Sequence, residues 1–321
     1  MKLNKVNLLT LLTIATFSAS IYANGDSRLS GEIALATGVF STNSNLNTDT
    51  PATLRDHSNQ GKRQDEFVAI PLGHLAYDLG ELRHHRVYLG TSRDDIAVGD
   101  LAFEIGYQYD FINGTQLDVA FLPTAVKGEA WSNPYLLGQQ RQVTDVDGHA
   151  FRLKLNDIMG SGLSLDMAYA KTEIDNEAIT DSTLLRDSHT YYVKGAYLKP
   201  LNGHSGIISS LAYTHADAEG KAETYNQYKG ELTYFSQFDR QSISLTGAYT
   251  YRDYDGASTT FNHRARSDDK IKLFVAYEYT DFAGWDNWSL ISLAGANFTR
   301  SNIDFYESDE YLATVGLSFK F

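Results

Sequence analysis

The chain has 321 residues and a formal net charge of −13, with 21 Tyr, 16 Phe, 3 Met and no Cys. A chain this acidic lacks the basic footprint of nucleic-acid binding, so we expect no nucleic-acid partner. The absence of Cys excludes disulfides and thiolate metal sites, and no cluster of His residues or phosphate-binding loop replaces them, so we expect no cofactor. Abundant Tyr and Phe favour strands over helices.

The first 23 residues, MKLNKVNLLTLLTIATFSASIYA, have the features of a secretory signal peptide. Lys2 and Lys5 precede an apolar run that ends at Phe17, and small residues follow. This run is too short and too rich in Thr to anchor the chain in a membrane. We predict that residues 1–23 are removed on export, which makes the remaining chain more acidic, and that residues 24–321 form a single domain.

Beyond the predicted signal peptide, the apolar residues recur with period two. In residues 101–109, large side chains stand at every odd position, and the same alternation recurs in 151–155, 163–169, 243–251 and 271–279. No comparable helical stripe competes with it, so the pattern predicts an antiparallel all-β protein. Residues 287–300 are apolar at consecutive positions, which leaves their register open.

The connections between these segments indicate a barrel. Short connections such as 112–115 and 159–162 alternate along the chain with long polar ones such as 125–147 and 173–187. An up-and-down transmembrane barrel has this order, because tight periplasmic turns lie at one rim and long extracellular loops at the other. The longer segments also reach the 9–11 residues that a tilted strand needs to cross hydrocarbon.

We therefore predict a closed antiparallel up-and-down β-barrel of about fourteen strands. A weak pair, 67–79 with Pro71 inside it and the short 85–92, leaves twelve strands as the alternative. The predicted strands are 28–40, 67–79, 85–92, 100–110, 114–124, 148–157, 162–172, 188–199, 204–216, 222–236, 241–253, 269–281, 287–300 and 310–321.

Charged residues inside the strands are candidates for the pore lining. A Lys or Arg that faces lipid at mid-membrane costs about 2–4 kcal/mol, so we expect these side chains to point inward. Their near-balanced charge predicts weak ion preference, whereas ion-pair ladders that fill a closed interior are the alternative. Small residues such as Gly106 and Ala248 favour an open lumen. The predicted pore-lining residues are Glu104, Asp118, Arg152, Lys154, Asp166, Lys194, Lys229, Glu231, Arg252, Lys272 and Glu278.

Two groups of aromatic residues have different expected roles. Tyr249, Tyr251 and Tyr254 lie near a predicted strand end, where an interfacial aromatic girdle forms. The connection 125–142, AVKGEAWSNPYLLGQQRQ, is too apolar for a purely solvated loop. We expect it to fold into or over the lumen as a constriction, with Trp131, Pro134 and Tyr135 as its central residues; an aromatic loop on the outer rim is the alternative.

The last residues, YLATVGLSFKF, alternate to the terminus. Tyr311, Leu317, Phe319 and Phe321 share one face, and this pattern resembles the C-terminal assembly signal of outer-membrane barrels. The resemblance implies as partners the barrel-assembly machinery and periplasmic chaperones, and it implies contact with outer-membrane lipid and lipopolysaccharide.

Three further segments carry a more specific resemblance. LSGEIALATGVFSTNSN (29–45), YLGTSRDDIAVGDLAFEIGYQ (88–108) and GEAWSNPYLLGQQR (128–141) are similar to segments of an uncharacterised Gram-negative outer-membrane family that is known only as a domain of unknown function. The resemblance covers most of the chain beyond the signal peptide. It implies a barrel in the bacterial outer membrane, and it carries over no catalytic, cofactor-binding or metal-binding residue.

These observations predict a porin-like, non-enzymatic channel for passive diffusion of small hydrophilic solutes. A non-conducting surface-binding or structural barrel that acts through its long loops is the main alternative. A less favoured alternative is an omptin-like surface protease, because acids and histidines occur near the long-loop rim without a matching omptin pattern. These rim residues are Asp145, Asp147, His149, His215 and Asp217.

Overall fold

A computed structural model describes residues 27–91, 102–124 and 128–321, with the backbone of residues 12–14 and 97–100. The predicted signal peptide lies outside these residues except for Leu12–Ile14, which pairs with Ala97–Asp100. Removal of the signal peptide therefore stays a prediction. No helix in the described ranges is long and apolar enough to span a membrane.

Fourteen strands within the described residues form one closed antiparallel barrel, which confirms the predicted fold class and the preferred strand number. Every strand pairs with the next along the chain, and β14 pairs with β1. The strands are β1 (Leu29–Thr42), β2 (Gln64–Leu79), β3 (His85–Thr91), β4 (Phe103–Asp110), β5 (Gln116–Pro123), β6 (Val143–Asn156), β7 (Leu163–Ile174), β8 (Ser188–Asn202), β9 (Ser205–Ala218), β10 (Tyr225–Phe238), β11 (Gln241–Ser258), β12 (Arg264–Thr280), β13 (Trp288–Ser301) and β14 (Ser308–Lys320).

The chain terminus closes the barrel. Leu317 stands opposite Leu35 where β14 meets β1. The Phe321 amide donates to Gly31 O at 3.0 Å, and the Gly31 amide donates to Phe321 O at 2.9 Å. A Cβ at position 31 would lie within 2.5 Å of the Phe321 ring, so glycine lets that ring pack against β1 in its present position. Backbone pairing thus continues to the last residue, and no strand edge is left open at this seam.

The period-two pattern separates an apolar outside from a more polar inside. On β12, the outward residues Ile271 and Leu273 are 51% and 56% exposed, whereas Lys272 and Phe274 between them are 9% and 3% exposed. The same alternation recurs around the ring. The large exposed apolar side chains therefore form the belt that faces hydrocarbon in a transmembrane barrel.

Two segments that were ambiguous in the sequence have clear roles. Pro71 lies within β2, opposite Leu35 of β1. Among the described residues, the pairing of β2 with β3 runs from His74 to Leu79. On β13, Leu290 stands opposite the outward Leu317, and Leu293 is buried inside. Odd residues of β13 therefore face inward and even residues face lipid.

Many aromatic residues lie on the outer face, but one residue predicted for the girdle does not. Tyr213, Tyr228 and Tyr251 occupy directly paired positions on neighbouring strands and are all exposed, as an interfacial girdle requires. Tyr254 was expected in the same girdle, and that expectation is wrong. Its even position on β11 turns the ring inward, where it is 4% exposed and lies under the guanidinium of Arg266 at 4.5 Å.

A charge placed on the lipid-facing belt tests the assignment of faces. We expect Leu273→Arg to lower the free energy of unfolding in bilayers by about 2–4 kcal/mol, because the guanidinium would lie in hydrocarbon. Leu82→Arg is the matched control, since Leu82 is 80% exposed in a turn between β2 and β3. Denaturant titration of both variants in liposomes is the measurement. Equal losses in the two variants would contradict the assignment.

Candidate channel lumen and mouth

The connections at the long-loop rim meet over the mouth of the barrel. Buried side chains from five connections form a common apolar cluster, against which Leu54 of a sixth connection packs. Because these connections leave the barrel at points all around its ring, their contacts close over the opening. We call this group the mouth cluster: Tyr135, Leu184, Ala222, Phe261, Ile303, Phe305 and Tyr306.

Trp131 and Arg141 tie two of these connections together. Gly128–Trp131 pairs with β6, so the predicted constriction loop begins as a strand that extends the barrel wall. The Trp131 ring is 3% exposed, with the Arg141 guanidinium 4.1 Å from its centroid. The Trp131 indole Nε1 donates to Asn47 O at 3.0 Å. The loop is therefore fixed against the connection between β1 and β2.

Arg141 supplies donors to backbone carbonyls that water cannot reach. Its Nη1 donates to Asn45 O at 2.7 Å and to Pro134 O at 3.2 Å, and its Nη2 donates to Pro51 O at 2.8 Å. Burial lowers the pKa of Arg141 to about 10, which still leaves the side chain charged at neutral pH. Arg141 was not among the predicted site residues. The sequence did contain one indication of its role: Arg141 follows Trp131 by ten positions in the same connection, and an Arg side chain can stack on an indole ring.

Tyr135 lies at the centre of the mouth cluster, and Pro134 beside it is fully buried. The Tyr135 hydroxyl donates to Glu223 Oε1 at 2.8 Å and accepts from the Tyr306 hydroxyl at 3.1 Å. His57 Nε2 donates to Tyr135 O at 2.8 Å. Burial, with the nearby Glu223 and Tyr306, raises the pKa of Tyr135 well above 10. Tyr135 therefore holds three connections by hydrogen bonds while its ring packs among aromatic neighbours.

Glu223 and Asp181 are two acids of the mouth whose pKa values move in opposite directions. Burial raises the pKa of Glu223, although Arg266, the Tyr135 hydroxyl and Arg186 oppose the shift. Burial also disfavours ionised Asp181, but hydrogen bonds from Thr183, Ser258 and Thr259 outweigh this and lower its pKa. Glu223 is thus the mouth acid that takes up a proton more readily than a solvated carboxylate.

All eleven predicted pore-lining residues occupy inward positions on the barrel strands. Arg152 joins one group on β4 to β7, because its Nη2 lies 2.7 Å from Asp166 Oδ2 and its Nη1 lies 3.7 Å from Glu104 Oε2. Asp118 of this group accepts from the Tyr88 hydroxyl at 2.7 Å. Lys154 completes the group, opposite both Asp118 and Asp166 in register.

A second group of predicted pore-lining residues lies on β8, β10 and β12. Lys229 Nζ is 2.6 Å from Glu231 Oε2, and Lys194 Nζ is 4.0 Å from Glu231 Oε1. Arg252 lies nearer the mouth and donates twice to Gln227 Oε1, at 3.0 and 2.7 Å. Glu278 lies near the short-turn rim and pairs with Lys320 at 2.5 Å.

An apolar patch on the inner wall was not predicted. Phe40, Val68, Ile70 and Leu72 point inward from β1 and β2 and form a buried cluster. Residues 67–72 of β2 are apolar at every position, so both faces of the strand are apolar there. Alternation alone therefore does not indicate which face is turned to lipid. The expected space at Gly106 is filled as well, because the Tyr88 ring lies against this glycine. The interior is therefore narrowed on the β1 to β4 side.

The omptin-like residues do not converge on a catalytic site. His149 and Asp147 take odd positions on β6, on the same outer side as the exposed Phe151. His215 lies three strands away on β9 and bonds to Asn226 at 3.0 Å. Three strand spacings amount to about 14 Å, beyond the reach of a shared proton transfer.

The contacts of Arg141 can be tested by proteolysis of the connection it holds. We expect Arg141→Gln to destabilise that contact by about 1–3 kcal/mol, because buried carbonyls lose their donors. Trypsin cleavage at Arg55 in folded protein should then accelerate about ten-fold or more. Arg240→Gln, at the opposite rim and half exposed, is the control. Unchanged cleavage in Arg141→Gln would contradict the anchoring role.

Solved outer-membrane structures are similar to the chain at low identity, and no curated protein matches it. The outer membrane channel DcaP of Acinetobacter baumannii is 10% identical with a TM-score of 0.43, over 94% of this chain and 99% of that chain. An outer membrane channel from Pseudomonas putida F1 is 11% identical with a TM-score of 0.46, over 94% and 100%. OccAB2 of Acinetobacter baumannii is 10% identical with a TM-score of 0.39, over 91% and 98%. Likeness of this degree does not extend to function.

A family match covers the whole barrel. It runs from residue 29 to residue 320, from the first residue of β1 to the last residue of β14. The three segments that resemble an uncharacterised outer-membrane family lie within this range. The chain therefore belongs to the family described as protein of unknown function (DUF2860).

Proposed function

We propose that the protein is a channel of the Gram-negative outer membrane, exported by its signal peptide, through which small hydrophilic solutes diffuse passively. The observation that carries this proposal is the polar interior of a closed fourteen-stranded barrel. Inward Lys194 and Lys229 keep about a fifth of their side-chain surface exposed although they are paired. A barrel of eight strands would be filled by its own side chains, whereas fourteen strands enclose more space.

The mouth cluster makes this channel a gated one. The aromatic side chains meet above the strands, so solutes reach the lumen only when the connections separate or through gaps between them. The same cluster also favours a second candidate, a surface-binding or structural barrel that acts through its loops, because the loops pack together as a defined outer surface.

Outer-membrane lipid and lipopolysaccharide are the proposed surroundings of the exposed belt. The C-terminal residues support the proposed partnership with the assembly machinery and periplasmic chaperones. Tyr311 and Val315 on the outer face of β14, and Phe321 directly after it, are exposed and within reach of a protein that binds the last strand before closure.

Planar-bilayer recording separates the two candidates. We expect discrete conductance steps from the folded protein, and larger steps from a variant that lacks residues 128–138, because this deletion removes Trp131 and Tyr135 from the mouth. Heat-modifiable migration on gels checks that each variant is folded. Absence of steps from folded protein would contradict the channel, and unchanged conductance after the deletion would contradict the role of the loop.

A finer variant pair separates packing from hydrogen bonding at the mouth. Tyr135→Ala should raise the open probability, since it removes the ring at the centre of the mouth cluster. Tyr135→Phe keeps the ring but removes the hydroxyl that joins Glu223 and Tyr306, so we expect an intermediate effect. Single-channel recording measures both, and equal behaviour of the two variants and the wild type would contradict a gate at Tyr135.

The open probability should also rise with pH. The closed mouth raises the pKa of Glu223 above its ordinary value of 4.5, so it holds a proton that the opened, solvated mouth releases. Closure is therefore favoured at acid pH and weakens as pH rises through the raised pKa. Recording from about pH 4 to about pH 8 measures this effect. Glu223→Gln should flatten the profile, whereas Glu219→Gln in the same connection should leave it unchanged. An unaltered profile in Glu223→Gln would contradict this role.

A further inference from the structure

The ion pairs of the interior share an asymmetry. In the inward-facing pairs of Lys194, Lys229, Arg152 and Lys320, the basic side chain is more exposed than its acidic partner. Lys229 and Lys194 are 22% and 20% exposed, whereas Glu231 between them is 4% exposed. Arg152 and Glu104 are 13% and 1% exposed, and Lys320 and Glu278 are 32% and 11% exposed. The charge that the interior presents to a solute is therefore positive, although acids and bases are nearly balanced in number.

The cause is the difference in side-chain length. Asp and Glu are short, and their carboxylates lie close to the wall from which they project. Lys and Arg extend further from an equivalent position, so their charged ends lie on the lumen side of the pair. When a short acidic side chain pairs with a long basic one on a concave wall, the basic group therefore lies nearer the centre of the lumen.

Several of these basic side chains lie close together on β8, β10 and β12. The positive charges of Lys229, Lys194 and Lys272 all act on the carboxylate of Glu231. We call these three residues the lysine cluster. Ala212 lies between Lys194 and Lys229 in register, and Ala248 lies between Glu231 and Lys272. These small residues keep space open between the charged side chains.

Asp166 does not cancel this excess. It stands opposite Lys194 in register, yet both of its oxygens accept from Arg152, at 3.0 and 2.7 Å. Among the described residues, Lys194 and Lys229 therefore share the carboxylate of Glu231, and the charge of Lys272 also acts on it. The side chains of Lys194 and Lys229, 20% and 22% exposed, border the same space.

We propose that the lysine cluster binds small oxyanions, carboxylates or phosphates, and makes the lumen select anions over cations. This inference rests on the proposed channel function and deepens it. An oxyanion would accept from the ammonium groups of Lys194 and Lys229, which have donors to spare because each carries three. The apolar patch on β1 and β2 narrows the other side of the interior, so the path of a solute runs beside the lysine cluster.

Reversal potentials in a potassium chloride gradient test the selectivity. We expect chloride to permeate several-fold more readily than potassium, since exposed charges of one sign concentrate the opposite ion. The double variant K194Q/K229Q should lose this preference, whereas Glu231→Gln should increase it. Lys221→Gln is the matched control, because it removes an exposed lysine from the long-loop rim rather than from the lumen.

Block of the chloride current by inorganic phosphate or acetate tests binding. We expect the half-blocking concentration to rise about ten-fold in K194Q/K229Q and to stay unchanged in Lys221→Gln. Single variants Lys194→Gln and Lys229→Gln, each checked for folding, serve if the double variant does not fold. Clear conductance steps without anion preference would overturn this site and leave the channel intact. Absence of steps from folded protein would overturn the channel itself.

Discussion

The barrel depends on one constraint, that no backbone donor or acceptor is left unpaired in hydrocarbon. The pairing of β14 with β1 meets this constraint and continues to Phe321, whose amide and carbonyl both bond to Gly31. Once the sheet is closed, each side chain on a strand can point in only one of two directions, toward lipid or toward the interior. Charges within the strands are then driven inward, because the outer direction costs more. The polar lumen follows from this closure rather than from a separate feature of the sequence.

Beyond the membrane the same requirement is met by side chains. The connections cannot pair as strands throughout, so buried carbonyls in them need other donors. Arg141 serves carbonyls of Asn45, Pro51 and Pro134 with one guanidinium, which stacks on Trp131. Tyr135 joins further connections through its hydroxyl and ring. The mouth is consequently held by a few residues with several contacts each, whereas the barrel below is held by continuous backbone pairing between neighbouring strands.

Alternation predicted the strands and faces well, because period two is a local property of each segment. It located the inward charges for the same reason. It did not locate Arg141, whose bond to Asn45 joins positions 96 residues apart. The girdle prediction failed for Tyr254, because it rested on nearness to a strand end, whereas the even position of Tyr254 on β11 turns the ring inward. Alternation was also silent on Val68 and Ile70, since both faces of β2 are apolar there and the identity of the inner face depends on closure.

Net charge is a poor guide to what this lumen attracts. The chain carries a charge of −13, and its interior acids and bases are close to balance. Permeating ions respond to the charges they can approach. At physiological ionic strength, screening largely removes the effect of charges more than about 8 Å away. On a concave wall the longer Lys and Arg side chains reach further inward than the carboxylates that hold them. A barrel with balanced interior pairs therefore presents a positive lining, and an acidic protein can favour anions in its channel.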